Sequence, residues 1–77
     1  MNWQERLTSD PNICHGRLCV KGSRVMVSVV LDNLAAGESF GEIIQGYAIE
    51  REDIEACLHY AADQARDRVL ALIPGVA

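Results

Sequence analysis

An even complement of cysteines is missing: there are three, Cys14, Cys19 and Cys57, so a fully paired disulfide framework is not expected. A leader is not expected either, because Met1-Asn2-Trp3-Gln4-Glu5-Arg6 has neither a basic start nor an apolar run. Together these two absences lead us to expect reduced thiols and a cytoplasmic location. The most apolar stretch, Val25 to Leu31, is broken by Ser28 and falls far short of the about 20 residues that cross a bilayer, so no membrane span is expected. Internal repeats and low-complexity tracts are absent as well. The chain itself is short: its 77 residues make one domain, and a domain of this size buries about 60% of its unfolded surface, against roughly 75% for one of 300 residues. Such a core is marginal on its own, and disulfides, a metal or a partner subunit commonly reinforce it.

The soft metal ligands are too few and too poorly spaced to supply that metal. Cys14, His15 and Cys19 cluster in a turn-rich segment, but the other soft ligands, Cys57 and His59, lie inside a helical pattern. Structural zinc sites pair C-x(2–4)-C with a second ligand pair at a distance. No metal or other cofactor is therefore expected, and Cys19 reads as a small apolar strand residue beside a turn shaped by Cys14 and His15. Catalysis lacks its parts in the same way, since no cysteine or serine stands beside a base held by a third group. His59 lies at helical spacing from Glu55 and Asp63, which suggests surface pairing. No catalytic residue is assigned, and the chain reads as a binding protein, not an enzyme.

What the sequence does have is an uneven distribution of charge. Residues 1 to 26 carry Arg6, Arg17, Lys21 and Arg24 against Glu5 and Asp10, a balance of +2. Residues 27 to 77 carry Arg51, Arg66 and Arg68 against nine acidic groups, a balance of −6. Any phosphate contact is therefore expected from the N-terminal third, with Arg17, Lys21 and Arg24 as candidates.

Turn and capping residues divide the chain near Met26. Before it, Asp10-Pro11-Asn12, His15-Gly16-Arg17 and Lys21-Gly22-Ser23 are turn sequences. The pieces between them, Arg6 to Ser9, Leu18 to Val20 and Arg24 to Val27, read as short extended segments, with no helix of useful length. After it the apolar period becomes helical: Val27, Val30, Leu31 and Leu34, with Gly37 as a stop, predict a helix over 28–36. Ser39-Phe40-Gly41-Glu42 has the pattern of a capping box and predicts a second, short helix ending by Gly46 or Tyr47. A connection of two to four residues leads to a third helix from Glu50 or Arg51, stopped by Pro74-Gly75. Its stripe of Ile54, Cys57, Leu58, Ala61, Ala65, Val69, Leu72 and Ile73 faces away from Glu55, His59, Asp63, Arg66 and Asp67. Such a helix, about 22 residues and ~33 Å long, exceeds what two short helices cover, so a homodimer is expected. The division is residues 1–26 as an extended or β arm, 27–73 as a three-helix unit and 74–77 as a tail. The fold class is mainly α with a short N-terminal β element.

Three helices on tight connections have the arrangement of helix-turn-helix DNA readers, whose last helix offers its N-terminal face to base edges. Here that face carries Glu52, Asp53 and Glu55 with only Arg51 basic, which should repel a duplex bearing one negative charge per about 1.7 Å.

The segments Ser9-Asp10-Pro11-Asn12-Ile13-Cys14-His15-Gly16-Arg17 and Cys19-Val20-Lys21-Gly22-Ser23-Arg24-Val25 resemble the opening of the prokaryotic domain-of-unknown-function family 433. The resemblance continues through Val29, Leu31, Asp32, Leu34, Ala35, Gly37, Glu42 and Ile43, then Glu52-Asp53-Ile54, Ala56, Tyr60 and Ala61. It implies a short β element followed by a homeodomain-like three-helix unit with a long third helix. It also implies an antitoxin-like role beside a PIN-like ribonuclease toxin, with possible control of the protein's own operon. Gly46 to Glu50 departs from the pattern: it lacks the proline after the tyrosine, is about one residue short, and has Glu50 where a Thr or Ser cap is usual. The second inter-helix turn is therefore expected to differ. For the nuclease partner the candidate contacts are Arg66, Arg68, Val69, Leu72 and Ile73, with an arginine entering an acidic active site. A helix-turn-helix regulator that binds DNA without a toxin, and a structural dimerisation domain, are the alternative readings.

Overall fold

The fold begins with residues that favour turns, in a computed structural model that describes residues 2–67. A single 3₁₀ turn, Trp3–Arg6, leads into β1 (Leu7–Asp10), which pairs antiparallel with β2 (Ile13–Val20). The reversal between them is made by Asp10-Pro11-Asn12, where the Asp10 carboxylate accepts the Asn12 N–H at 2.8 Å, an Asx turn. The ladder matches Leu7 with Val20, and both side chains are buried. It then skips from Ser9↔Leu18 to Asp10↔Ile13, leaving residues 14–17 outside the pairing.

The third expected extended piece, Arg24 to Val27, is not a strand. It makes one antiparallel bridge, Cys19↔Met26, because helix geometry already starts at Val27: the Met26 carbonyl accepts the Val29 and Val30 N–H groups. Helix α1 spans Val27–Ala35, one residue earlier than the period indicated. Gly37, at φ 94°, turns the chain out of it, a conformation that costs a side-chain-bearing residue more.

Helix α2 spans Phe40–Tyr47 and has the full capping box. The Glu42 N–H donates to Ser39 Oγ at 3.2 Å, and the Ser39 N–H donates to Glu42 Oε1 at 2.9 Å. Hydrogen bonding to the carboxylate by Ser39, first from its backbone N–H and then from its hydroxyl, holds the Glu42 carboxyl below its ordinary range. Asn33 ties α1 to α2 by donating to the Tyr47 hydroxyl at 2.8 Å. Ala48, left-handed at φ 55°, closes α2, and three residues later α3 begins, running Arg51–Asp67. The expected stop at Pro74-Gly75 and the residues before it from position 68 lie outside the described residues.

The architecture is thus mainly helical, three helices with a short N-terminal two-stranded hairpin. Its core gathers Leu7 and Val20 from the hairpin, Val27 and Val30 from α1, Ile43 from α2, and Ile54, Ala56 and Cys57 from α3, with Ile49 from the connection. Helix α3 is the shared wall, packing on the 3₁₀ turn, α1, α2 and β1.

Candidate interaction surfaces

The start of α3 is built without the usual hydroxyl cap. Glu50 occupies the capping position, and its carbonyl accepts the N–H groups of Asp53 and Ile54. Its own N–H donates to Asp53 Oδ2 at 2.8 Å, which retains the backward half of a capping box. The other Asp53 oxygen accepts from Arg6 Nη1 at 2.9 Å. Asp53 is thereby 7% exposed, and the sequence expectation of an exposed, repelling carboxylate at this position is corrected: it is enclosed by an arginine 47 residues away. The hydrogen bond that Arg6 donates to Asp53, with the Asp53, Glu50 and Glu52 charges nearby, raises the Arg6 pKa above its ordinary value. The one basic group of this turn, Arg51, lies over the Phe40 ring at 4.8 Å, a cation–π contact that commits it to α2. Glu5, Arg6, Lys21, Glu50 and Asp53 line the cleft beside this corner.

One turn further along, the outer face of α3 is left uncovered by the described residues. Leu58 is 42% exposed and lines a shallow groove with Glu55, His59 and Ala62. The apolar stripe read from the sequence needs correction here: Ile54 and Cys57 face the core, joined by Ala56, but Leu58 and Ala65 do not. Helix α3 is rotated so that Asp53 reaches Arg6, which carries Leu58 outward. The expected pairing of His59 with Glu55 and Asp63 is also replaced. The His59 ring stacks on Trp3, with centroids 6.5 Å apart and planes 5° from parallel, and Asp63 pairs with Arg66 instead. Arg66 is exposed beside that partner. Of the other candidate partner contacts, Arg68, Val69, Leu72 and Ile73 lie outside the described residues.

Arg17, Lys21 and Arg24 are all exposed, and none of them belongs to an ion pair among the described residues. They do not line one common site. Arg17 stands at a groove of about 250 Å³ with Leu18, Val27, Ser28, Leu31 and Tyr60, while Lys21 lines the carboxylate-rich cleft next to α3. Arg24 lines neither of these two grooves.

Cys14 and His15 shape a turn, as their sequence context indicates, and do so in the left-handed region at φ 52° and 55°, followed by Gly16 at 80°. Among the described residues no group of three or more His, Cys, Asp and Glu side chains is placed to hold a metal ion. The third thiol, Cys57, belongs to the core, where burial, helped by the Asp53 charge, pushes its pKa up to about 11. Trp3, Arg6 and Phe40 were not read from the sequence as partners of α3. Each acts across a sequence separation at which no periodic signal exists.

Among the described residues no helix is long and apolar enough to cross a membrane. A family model described as "Protein of unknown function (DUF433)" matches residues 7–61, which covers the hairpin, α1, α2 and the core-facing part of α3. No curated protein and no solved structure matches the chain.

Proposed function

The chain belongs to the DUF433 family, and from that premise we propose that it is an antitoxin-like binding protein, not an enzyme: a homodimer that covers and neutralises a PIN-like ribonuclease encoded beside it. The observation that carries this reading is the contrast along α3. Its first turn, the part a helix-turn-helix protein lays on base edges, has its carboxylate bound to Arg6 and its arginine laid on Phe40. Its outer face keeps Leu58 and Ala62 uncovered beside Glu55 and His59. An apolar strip with a polar rim suits a protein partner better than a polyanion. In this reading Arg66 enters an acidic nuclease site, exchanging Asp63 for the partner's carboxylates, and Arg68, Val69, Leu72 and Ile73 extend the contact.

Co-expression with the neighbouring open reading frame, followed by light scattering and an RNA-cleavage assay, tests the proposal. A heteromeric complex in which cleavage is suppressed supports it. Two proteins that elute separately, with the nuclease fully active, would contradict it.

A second reading, a homeodomain-like DNA-binding regulator acting without a toxin, draws on the exposure of Arg17 and Arg24, which form no ion pair among the described residues. It predicts affinity that falls steeply with salt, and loss of binding in Arg24→Glu and Lys21→Glu. Binding that is weak and independent of salt would discard it.

A further inference from the structure

We infer that Cys14 and Cys19 form an intramolecular disulfide under mild thiol oxidation, fastening the loop 14–17 to the hairpin. In a regular strand these residues would stand ~17 Å apart, at about 3.4 Å per residue, with side chains on opposite faces. The left-handed run Cys14-His15-Gly16 removes that separation. It folds the loop out of the ladder, and the Ser9 hydroxyl holds it there by donating to the Gly16 carbonyl. As a result, Cys14 Sγ contacts the Arg24 carbonyl at 3.3 Å and Cys19 Sγ contacts the adjacent Ser23 carbonyl at 3.8 Å. The Cys19↔Met26 bridge keeps that segment alongside β2. Burial first, and then the neighbouring Cys14, push the Cys19 thiol above its ordinary pKa.

Two side chains in left-handed backbone are unusual, since Cβ then crowds the following carbonyl oxygen, and the helical core has no need of them. With no third ligand of the kind a metal requires among the described residues, two converging thiols suit dithiol chemistry. Cys14 is half-buried and Cys19 is buried, which sets the order of events. The Cys14 thiolate attacks one sulfur of a small disulfide such as oxidised glutathione, and one glutathione leaves as thiolate. Cys19, losing its proton to solvent, then attacks the Cys14 sulfur and expels the second glutathione. Two protein thiols are oxidised and one oxidised glutathione is reduced to two thiols. Closing the ring takes Cys14 off the Arg24 carbonyl, so the loop that carries Arg17 must shift.

The test is to incubate the full chain with oxidised glutathione, denature it, alkylate the remaining thiols and map the products after trypsin. Cleavage after Arg17 separates Cys14 from Cys19, so a linked pair of peptides identifies the bond. We expect two of the three alkylation sites to be lost in a monomeric species, with Cys57 still alkylated. Cys57→Ala should give the same linked pair, and Cys14→Ser should lose it. Three alkylated cysteines, a glutathione adduct on Cys14 that never closes, cross-links between chains, or a bond that includes Cys57 would each overturn the inference.

Discussion

Residues Cys57 and Leu58 are neighbours in sequence and opposites in setting: Cys57 is fully enclosed, and Leu58 is 42% exposed. The same division holds for the two stretches of α3 to which they belong. The first turn is fixed from three directions, by Arg6 on Asp53, by the Glu50 N–H on the same carboxylate, and by Phe40 under Arg51. The outer face beyond it carries an apolar side chain, Leu58, that no element among the described residues covers. Groups already satisfied by internal partners have little left to offer a ligand, because an incoming contact has to replace one that exists. An exposed apolar side chain has no such partner to give up. In the function proposed here the face used for recognition is therefore the outer one, whereas helix-turn-helix proteins use the other.

The largest effect is expected where the enclosed turn is broken. Asp53→Ala removes the acceptor for both Arg6 and the Glu50 N–H, and it should lower the free energy of unfolding by about 2–4 kcal/mol in urea melts. A loss within the noise of the melt would mean that the turn is not fixed by this carboxylate.

Next in size is an alkaline effect at Cys57. Its folded pKa, about 11, stands above the value of 9.0 for a free thiol. The folded state therefore holds this proton more tightly. The stabilisation is complete below the free-thiol value and is lost as pH rises through the folded one. Between those two values the loss is on the order of 2 kcal/mol. Cys57→Ala, although less stable throughout, should show a flatter alkaline limb in pH-dependent denaturation, and an unchanged limb would place the burial elsewhere.

Smaller again is Arg51→Ala, which removes the cation from the Phe40 ring. It is expected to cost about 0.5–1 kcal/mol, with no loss of partner binding. The smallest effect on folding, within about 0.5 kcal/mol, is expected from Leu58→Glu, which nevertheless should weaken any contact made by the outer face. A Leu58→Glu protein that melts several degrees lower would show that Leu58 is packed within the monomer.

These same residues show what a sequence makes legible. The capping box at Ser39 and Glu42, the stop at Gly37 and the start at Glu50 or Arg51 were readable because each is decided within four residues by backbone groups seeking partners. The turn at Asp10-Pro11-Asn12 is local in the same sense. The Arg6–Asp53 pair was not readable: it spans 47 residues, and no local rule distinguishes Asp53 from Glu52 as the carboxylate that turns inward. That choice sets the rotation of α3, so the assignment of Leu58 to the core failed with it. His59 was misread for a related reason, since a helical i,i+4 pattern supplies acidic neighbours but cannot register a tryptophan arriving from the opposite end of the chain. The departure at Glu50 was visible in the sequence, whereas its remedy, the Asp53 carboxylate reaching back to the Glu50 N–H, needed the three-dimensional arrangement.

The central claim, that the open face of α3 and not its first turn makes the functional contact, is tested most directly by co-purification. The chain, as wild type, Leu58→Glu or Arg51→Ala, is co-expressed with the product of the neighbouring open reading frame, the proposed ribonuclease, and the amount of that product retained by each is quantified. The account predicts that wild type and Arg51→Ala retain it equally, while Leu58→Glu, folded to the same extent, retains at least about tenfold less, as the loss of ~1.4 kcal/mol or more at one contact would produce. Equal retention by Leu58→Glu, or loss in Arg51→Ala alone, would contradict it.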